Sequence, residues 1–252
     1  DSALKSYKDD LGDRAVDQAA AIFQSFTIPG RLAHWSGEEG KLRRAALSMS
    51  INRQEIIDVI FNGTRKPARD FTSPVIAGWS DALKGAEVLD FNPEKAKELW
   101  AEADKISPWS GKFELAYNAD GGHQGWVDAV TNSIKNTLGI DAAGKAYPTF
   151  AEIRTAVTDK TIKEAFRTGW QADYPALANF LAPIYQTGGE WYVKRFIPDW
   201  MPCYDGSVAG GLQVYRFHGV SPAGDASDPT DASTAVNGNY GFGDLAERDG
   251  AA

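Results

Sequence analysis

Trp170, Asp173 and Tyr174 fall within one short run, FRTGWQADYPALANF, from Phe166 to Phe180. Two rings offer flat apolar surface and one carboxylate offers a fixed negative charge. That combination suits a ligand with a cationic end and an apolar or polar body. The same residue types also fit an aromatic pair packed beside a proline turn with a solvated aspartate, and taken alone they leave both readings open. A second group is Tyr117, Asn118 and His123. Tyr117 and Asn118 close a strand and His123 opens the next helix, so this group can also reach a ligand. His123 has no partner in the sequence that would make it a general base or a metal ligand.

Catalytic patterns are missing. The chain has no GxxxxGK[ST], GxGxxG, GxSxG or HExxH, so neither common phosphate cradle nor a nucleophile elbow is expected. His34 and His218 are isolated. Carboxylates are numerous, but nothing marks a pair for glycosidase chemistry. Asn62-Gly63-Thr64 fits a glycosylation sequon and is equally a helix stop. The expectation is a binding protein, not an enzyme, with no cofactor and no metal.

The elements that must position these residues are legible from periodicity and caps. Ile22 to Ile28 reads as a strand closed by Pro29-Gly30. Gly37 to Met49 reads as a helix with Leu42, Ala45, Ala46 and Met49 inward and Lys41, Arg43 and Arg44 alongside. Asn52 with Glu55 forms a capping box and starts a helix bearing Ile56, Ile57, Ile60 and Phe61, which Gly63 stops. Residues 64–90 read as loop. Asn92-Pro93 starts a helix with Ala96, Leu99, Trp100 and Ala103 inward. Lys112 to Asn118 alternates as a strand, Gln124 to Leu138 is a helix ended by Gly139, and a short strand follows. Thr149 with Glu152 caps the helix Phe150 to Thr158. A strand over 163–168 then leads through Gly169 and the Trp170–Tyr174 loop into a helix with Leu177, Phe180, Leu181 and Ile184 on one face. Strands and helices alternate, so the fold class is α/β.

A chain of 252 residues with 43% hydrophobic composition can bury a real core. Its net charge of −8 argues against a nucleic-acid or anionic-membrane surface. The single cysteine, Cys203, excludes an internal disulfide and any CxxC motif. No run reaches the length of a membrane span, and the first residues show no signal-peptide pattern. Beyond Gly189 the character changes. Residues 190–217 are aromatic-rich, and residues 219–252 are Gly, Ala, Asp, Ser and Thr with one basic residue, Arg248, a composition that reads as extended or mobile. The expected division is a ligand-binding lobe over 1–189 and an irregular tail over 190–252.

Four runs together resemble the family 5 extracellular solute-binding proteins of ABC importers, the oligopeptide- and dipeptide-binding type. They are LRRAALSMSINRQEIIDVIFNGT (42–64), FNPEKAKELWAEA (91–103), FELAYNADGGHQGWVDAVTNSIKNTLGI (113–140) and GWQADYPALANFLAPIYQTGG (169–189). The resemblance spans about residues 2–189 and implies the C-terminal lobe of a type II periplasmic-binding-protein fold. It implies a peptide ligand, with Asp173 pairing with the peptide's α-amino group and the aromatics taking varied side chains. It also implies delivery to a membrane permease, an extracellular or periplasmic location and membrane anchoring in the full-length parent. An oligosaccharide ligand in the same family, or a non-binding remnant kept for interaction, are the alternatives. Members are roughly twice this length, so an isolated lobe is expected to bind weakly and to expose a face through which it can form a homo-oligomer.

Overall fold

The computed structural model describes residues 10–16 and 19–185, together with a short antiparallel ladder that pairs Val208–Ala209 with Leu212–Gln213. The main body runs β1 (Ile22–Thr27), α1 (Gly37–Met49), α2 (Arg53–Ile60), α3 (Pro93–Ile106), β2 (Phe113–Asn118), α4 (Gln124–Leu138), β3 (Ala142–Tyr147), α5 (Phe150–Thr158), β4 (Ala165–Gln171) and α6 (Leu177–Tyr185). The aromatic-rich and irregular tail over 190–252 lies outside the described residues, apart from that ladder.

The caps explain most boundaries. The side chains of Asn52, Asn92 and Thr149 accept from the backbone N–H of Glu55, Lys95 and Glu152, satisfying donors that a helix start leaves free. Pro93 occupies the first turn of α3, where its missing N–H costs nothing. Gly139 takes a left-handed φ of 71° and ends α4.

The four strands form one sheet in the order β1-β4-β2-β3. β2 runs parallel to both β3 and β4, while β1 pairs antiparallel with β4. The parallel strands are connected through α4 and α5, so their C-terminal ends line up on one edge. Strand alternation sends β2 residues to both faces. Leu115 and Tyr117 pack with Val127, Val130 and Ile134 of α4, and Ala116 packs with Ile153 and Val157 of α5. A third cluster joins Phe23 of β1, Ile76 of the long loop and Phe180 of α6, with Trp170, Phe71 and Leu177 against it.

Two features differ from the sequence reading. Arg43 and Arg44 are among the buried residues of α1, at 0% and 2% exposure, and do not flank its inward face. Arg43 Nε donates to Glu39 Oε1 at 2.9 Å and its Nη2 to Asp104 Oδ1 at 2.9 Å, while the guanidinium lies 4.6 Å from the centre of the Trp100 ring. Paired charges and an aromatic face let arginine enter a helix–helix contact that apolar periodicity does not anticipate. The second difference is β4, which continues to Gln171, so Trp170 belongs to the strand and not to the loop. Its pairing with Phe23 across the β1–β4 ladder supplies the hydrogen bonds that extend it.

Candidate functional site

The C-terminal edge of the parallel strands carries two groups of side chains. The first lies where β4 turns into α6. Asp173 is two residues past β4 and exposed, and Tyr174 beside it is 52% exposed. Behind them Asn179 of α6 is buried at 4%. Its Oδ1 accepts from Trp170 Nε1 at 3.0 Å and from the Asp173 backbone N–H at 2.9 Å, and its Nδ2 donates to Asp173 Oδ2 at 3.3 Å. The Trp170 ring is half-buried against the Phe23–Ile76–Phe180 cluster. The result is a carboxylate facing water with one oxygen tied back to the protein, flanked by two rings.

The second group lies where β2 turns into α4. Asn118 is buried at 5%; its Nδ2 donates to Asp120 Oδ1 at 2.5 Å and its Oδ1 accepts from Arg167 Nη1 at 3.2 Å. Arg167 sits on β4, with its guanidinium carbon 5.0 Å from the centre of the Phe150 ring. Its buried Nε has no hydrogen-bond partner among the described residues. Burial lowers the Arg167 pKa from its ordinary value, and the Asp120 charge opposes that shift. His123 accepts at Nδ1 from Trp126 Nε1, at 3.0 Å. Burial, followed by the charges of Arg167 and Arg65, pushes its pKa down to about 4. At neutral pH it is therefore an uncharged imidazole with its proton on Nε2, a donor. Gly121 permits the convergence, because a Cβ there would stand 2.5 Å from both Asn118 Nδ2 and His123 Nε2.

The structure thus brings Trp170, Asp173 and Tyr174 together at one strand end, and Asn118 and His123 at the neighbouring one. Tyr117 goes elsewhere. It is 6% exposed, packed in the α4 core cluster, and a Cβ on Gly144 would come within 3.0 Å of its ring. Alternation along β2 turns Tyr117 away from the face used by Asn118, so it supports the strand end from inside. Sequence reasoning missed Asn179 and Arg167. The signals were present in each case: an amide inside the apolar run of α6, and the one charged residue within β4. Among the described residues no group of three or more His, Cys, Asp or Glu could hold a metal ion, and no helix is long and apolar enough to cross a membrane.

Comparison with known proteins adds to this geometry. A family model described as bacterial extracellular solute-binding proteins, family 5 Middle, matches residues 40–192, more than half of the chain. The chain is similar to the dipeptide-binding protein DppE of Bacillus subtilis, 26% identical over 180 residues, which is 69% of this chain and 31% of that protein. It is similar to the periplasmic oligopeptide-binding protein OppA of Salmonella typhimurium, 30% identical over 146 residues, covering 55% of this chain and 25% of that one. In fold it is similar to the Escherichia coli murein tripeptide binding protein MppA, with a TM-score of 0.64 at 20% identity, covering 97% of this chain and 44% of that chain. The chain spans between a quarter and a third of the length of these two curated relatives.

Proposed function

The chain belongs to the bacterial extracellular solute-binding proteins of family 5, and from that membership we propose that it binds peptides through their α-amino group. The carrying observation is Asp173, an exposed carboxylate at the end of β4 with one oxygen held by Asn179 and with Trp170 and Tyr174 beside it. An ammonium is the one cation common to all peptides, and a carboxylate receives it through a charge-assisted hydrogen bond. The rings bury varied side chains without selecting among them.

Arg167 complements this reading. It is half-buried on β4 with its Nη1 donating to Asn118 Oδ1, and its positive charge favours the carboxylate of a zwitterionic ligand. We assign the chain no catalytic step. In this reading its role is to hand peptide to the permease of an ABC importer on the extracellular or periplasmic side of a membrane. The similarity to DppE and OppA, both peptide-binding proteins by name, supports the ligand class.

The test is calorimetric titration with trialanine beside N-acetyl-trialanine, in which acetylation removes the ammonium and little else. Tighter binding of the free amine is the expected result. Equal heats from both peptides, or none from either, would sink the reading.

A further inference from the structure

Asn179 occupies a position that packing alone does not explain. It is flanked along α6 by Leu177, Phe180 and Leu181, and Phe180 and Leu181 are buried at 0% and 5% exposure. A buried carboxamide is costly unless its polar atoms are satisfied, and here each is aimed at the site. Oδ1 receives two N–H donors, from the Trp170 indole and the Asp173 backbone, at 3.0 and 2.9 Å. A flipped amide would set its NH2 against both donors, so the network fixes the orientation. Nδ2 is then obliged to face the Asp173 carboxylate, and it donates to Oδ2 at 3.3 Å.

We propose that Asn179 is the positioning residue of the ligand site, presetting the Asp173 carboxylate and the Trp170 ring so that the site prefers a free amine. The proposal rests on the peptide reading above. Asp173 lies in the bend between β4 and α6, where an exposed side chain otherwise samples several rotamers. Bonds to both its backbone N–H and its Oδ2 hold one rotamer and leave Oδ1 for the ligand. Binding then spends less on ordering the carboxylate, which is the advantage of preorganisation. Burial of Phe180 and Leu181 makes α6 a firm base for the amide. Asn179 touches no ligand atom in this scheme and acts through Asp173.

The experiment is calorimetry on the whole chain at pH 6 with trialanine and N-acetyl-trialanine, for wild type, Asn179→Ala and Asn179→Asp. Asn179→Ala removes all three bonds, and the preference for the free amine should fall by about tenfold. Asn179→Asp keeps both acceptor bonds but sets a second carboxylate oxygen against Asp173. Two carboxylates about 3 Å apart share a proton, and an arriving ammonium displaces it. Trialanine binding to this variant should therefore give different apparent heats in phosphate and Bis-Tris buffers, while the wild type gives the same heat in both. A folded Asn179→Ala that keeps the wild-type preference, or an Asn179→Asp that binds without releasing a proton, overturns the positioning role and leaves the peptide reading intact. If Asn179→Ala does not fold, the buffer comparison on Asn179→Asp decides alone. A wild type without preference between the two peptides overturns the peptide reading itself.

Discussion

Replacing Asp173 by Asn probes the ligand site with little disturbance to its frame. The new side chain has the same shape and still offers an oxygen to Asn179 Nδ2, and the backbone bond from residue 173 to Asn179 Oδ1 at 2.9 Å is untouched. What disappears is the charge. A hydrogen bond between an ammonium and a carboxylate contributes roughly 1.5–3 kcal/mol. Asp173 is exposed, so solvent screening places it near the lower end, about 1.5 kcal/mol. That corresponds to about a tenfold rise in the Kd for trialanine. N-acetyl-trialanine, which has no ammonium, should change by no more than about twofold. Calorimetry at low salt and pH 7 measures both. An equal loss for the two peptides would mean that the substitution disturbed packing and not a charge pair. No loss for either would mean that Asp173 is a solvated bystander.

Three further outcomes follow from contacts elsewhere. Arg167→Met should abolish any preference for trialanine over its C-terminal amide, a change of about fivefold at a half-buried charge; calorimetry that finds the preference intact would remove Arg167 from the site. Arg43→Ala breaks the bonds from α1 to Glu39 and Asp104 and should cost about 3 kcal/mol in urea denaturation, the low end for a broken buried pair, because Asp104 still accepts from the Trp109 N–H. Folding moves the His123 pKa from 6.5 down to about 4. The unfolded chain therefore takes the proton more readily, so this group leaves stability untouched above the upper value, erodes it as pH falls toward the lower one, and adds nothing further below. Linkage bounds the erosion near ~3 kcal/mol, and partial exposure reduces it to about 1–2 kcal/mol; His123→Gln should lose correspondingly less stability between neutral and acid pH, and an identical loss refutes the assignment.

How much of this was legible in the sequence depended on range. Helix boundaries resting on neighbours a few residues apart were readable, as at Asn52 with Glu55, Asn92 with Pro93 and Thr149 with Glu152. Features that depend on partners far along the chain were not. Arg43 is buried because Asp104 and Trp100 of α3 meet it, and apolar spacing within α1 carries no trace of either. Strand β4 extends to Gln171 because β1 pairs with it, and Gly169 alone reads as a turn. In the site, Asp173 was readable as a charge beside two rings, whereas the side that Tyr117 takes depends on sheet register and where Arg167 ends up depends on the neighbouring strand. Asn179 shows the limit most clearly: an amide among apolar residues is visible in the sequence, but its purpose appears only when the fold sets it behind Asp173.

The exposure of Asp173 also constrains how firmly this surface can hold a ligand. A pair of unit charges about 3 Å apart is worth about 1.4 kcal/mol in bulk water and about 5.5 kcal/mol at an effective dielectric of 20. Asn179 shields the carboxylate from one side, yet Asp173 and its neighbour Tyr174 still face solvent. The attraction available here is therefore nearer the lower figure, and any surface that closes over the ligand strengthens the same pair severalfold without altering a residue of the site. A solvent-open pair must also be sensitive to salt. Between roughly 0.01 M and 1 M the screening length falls from about 30 Å to about 3 Å, and the preference for trialanine over N-acetyl-trialanine should shrink with it. A preference that holds constant across that range would mean that water is already excluded from the pair, which the open carboxylate at the end of β4 does not allow.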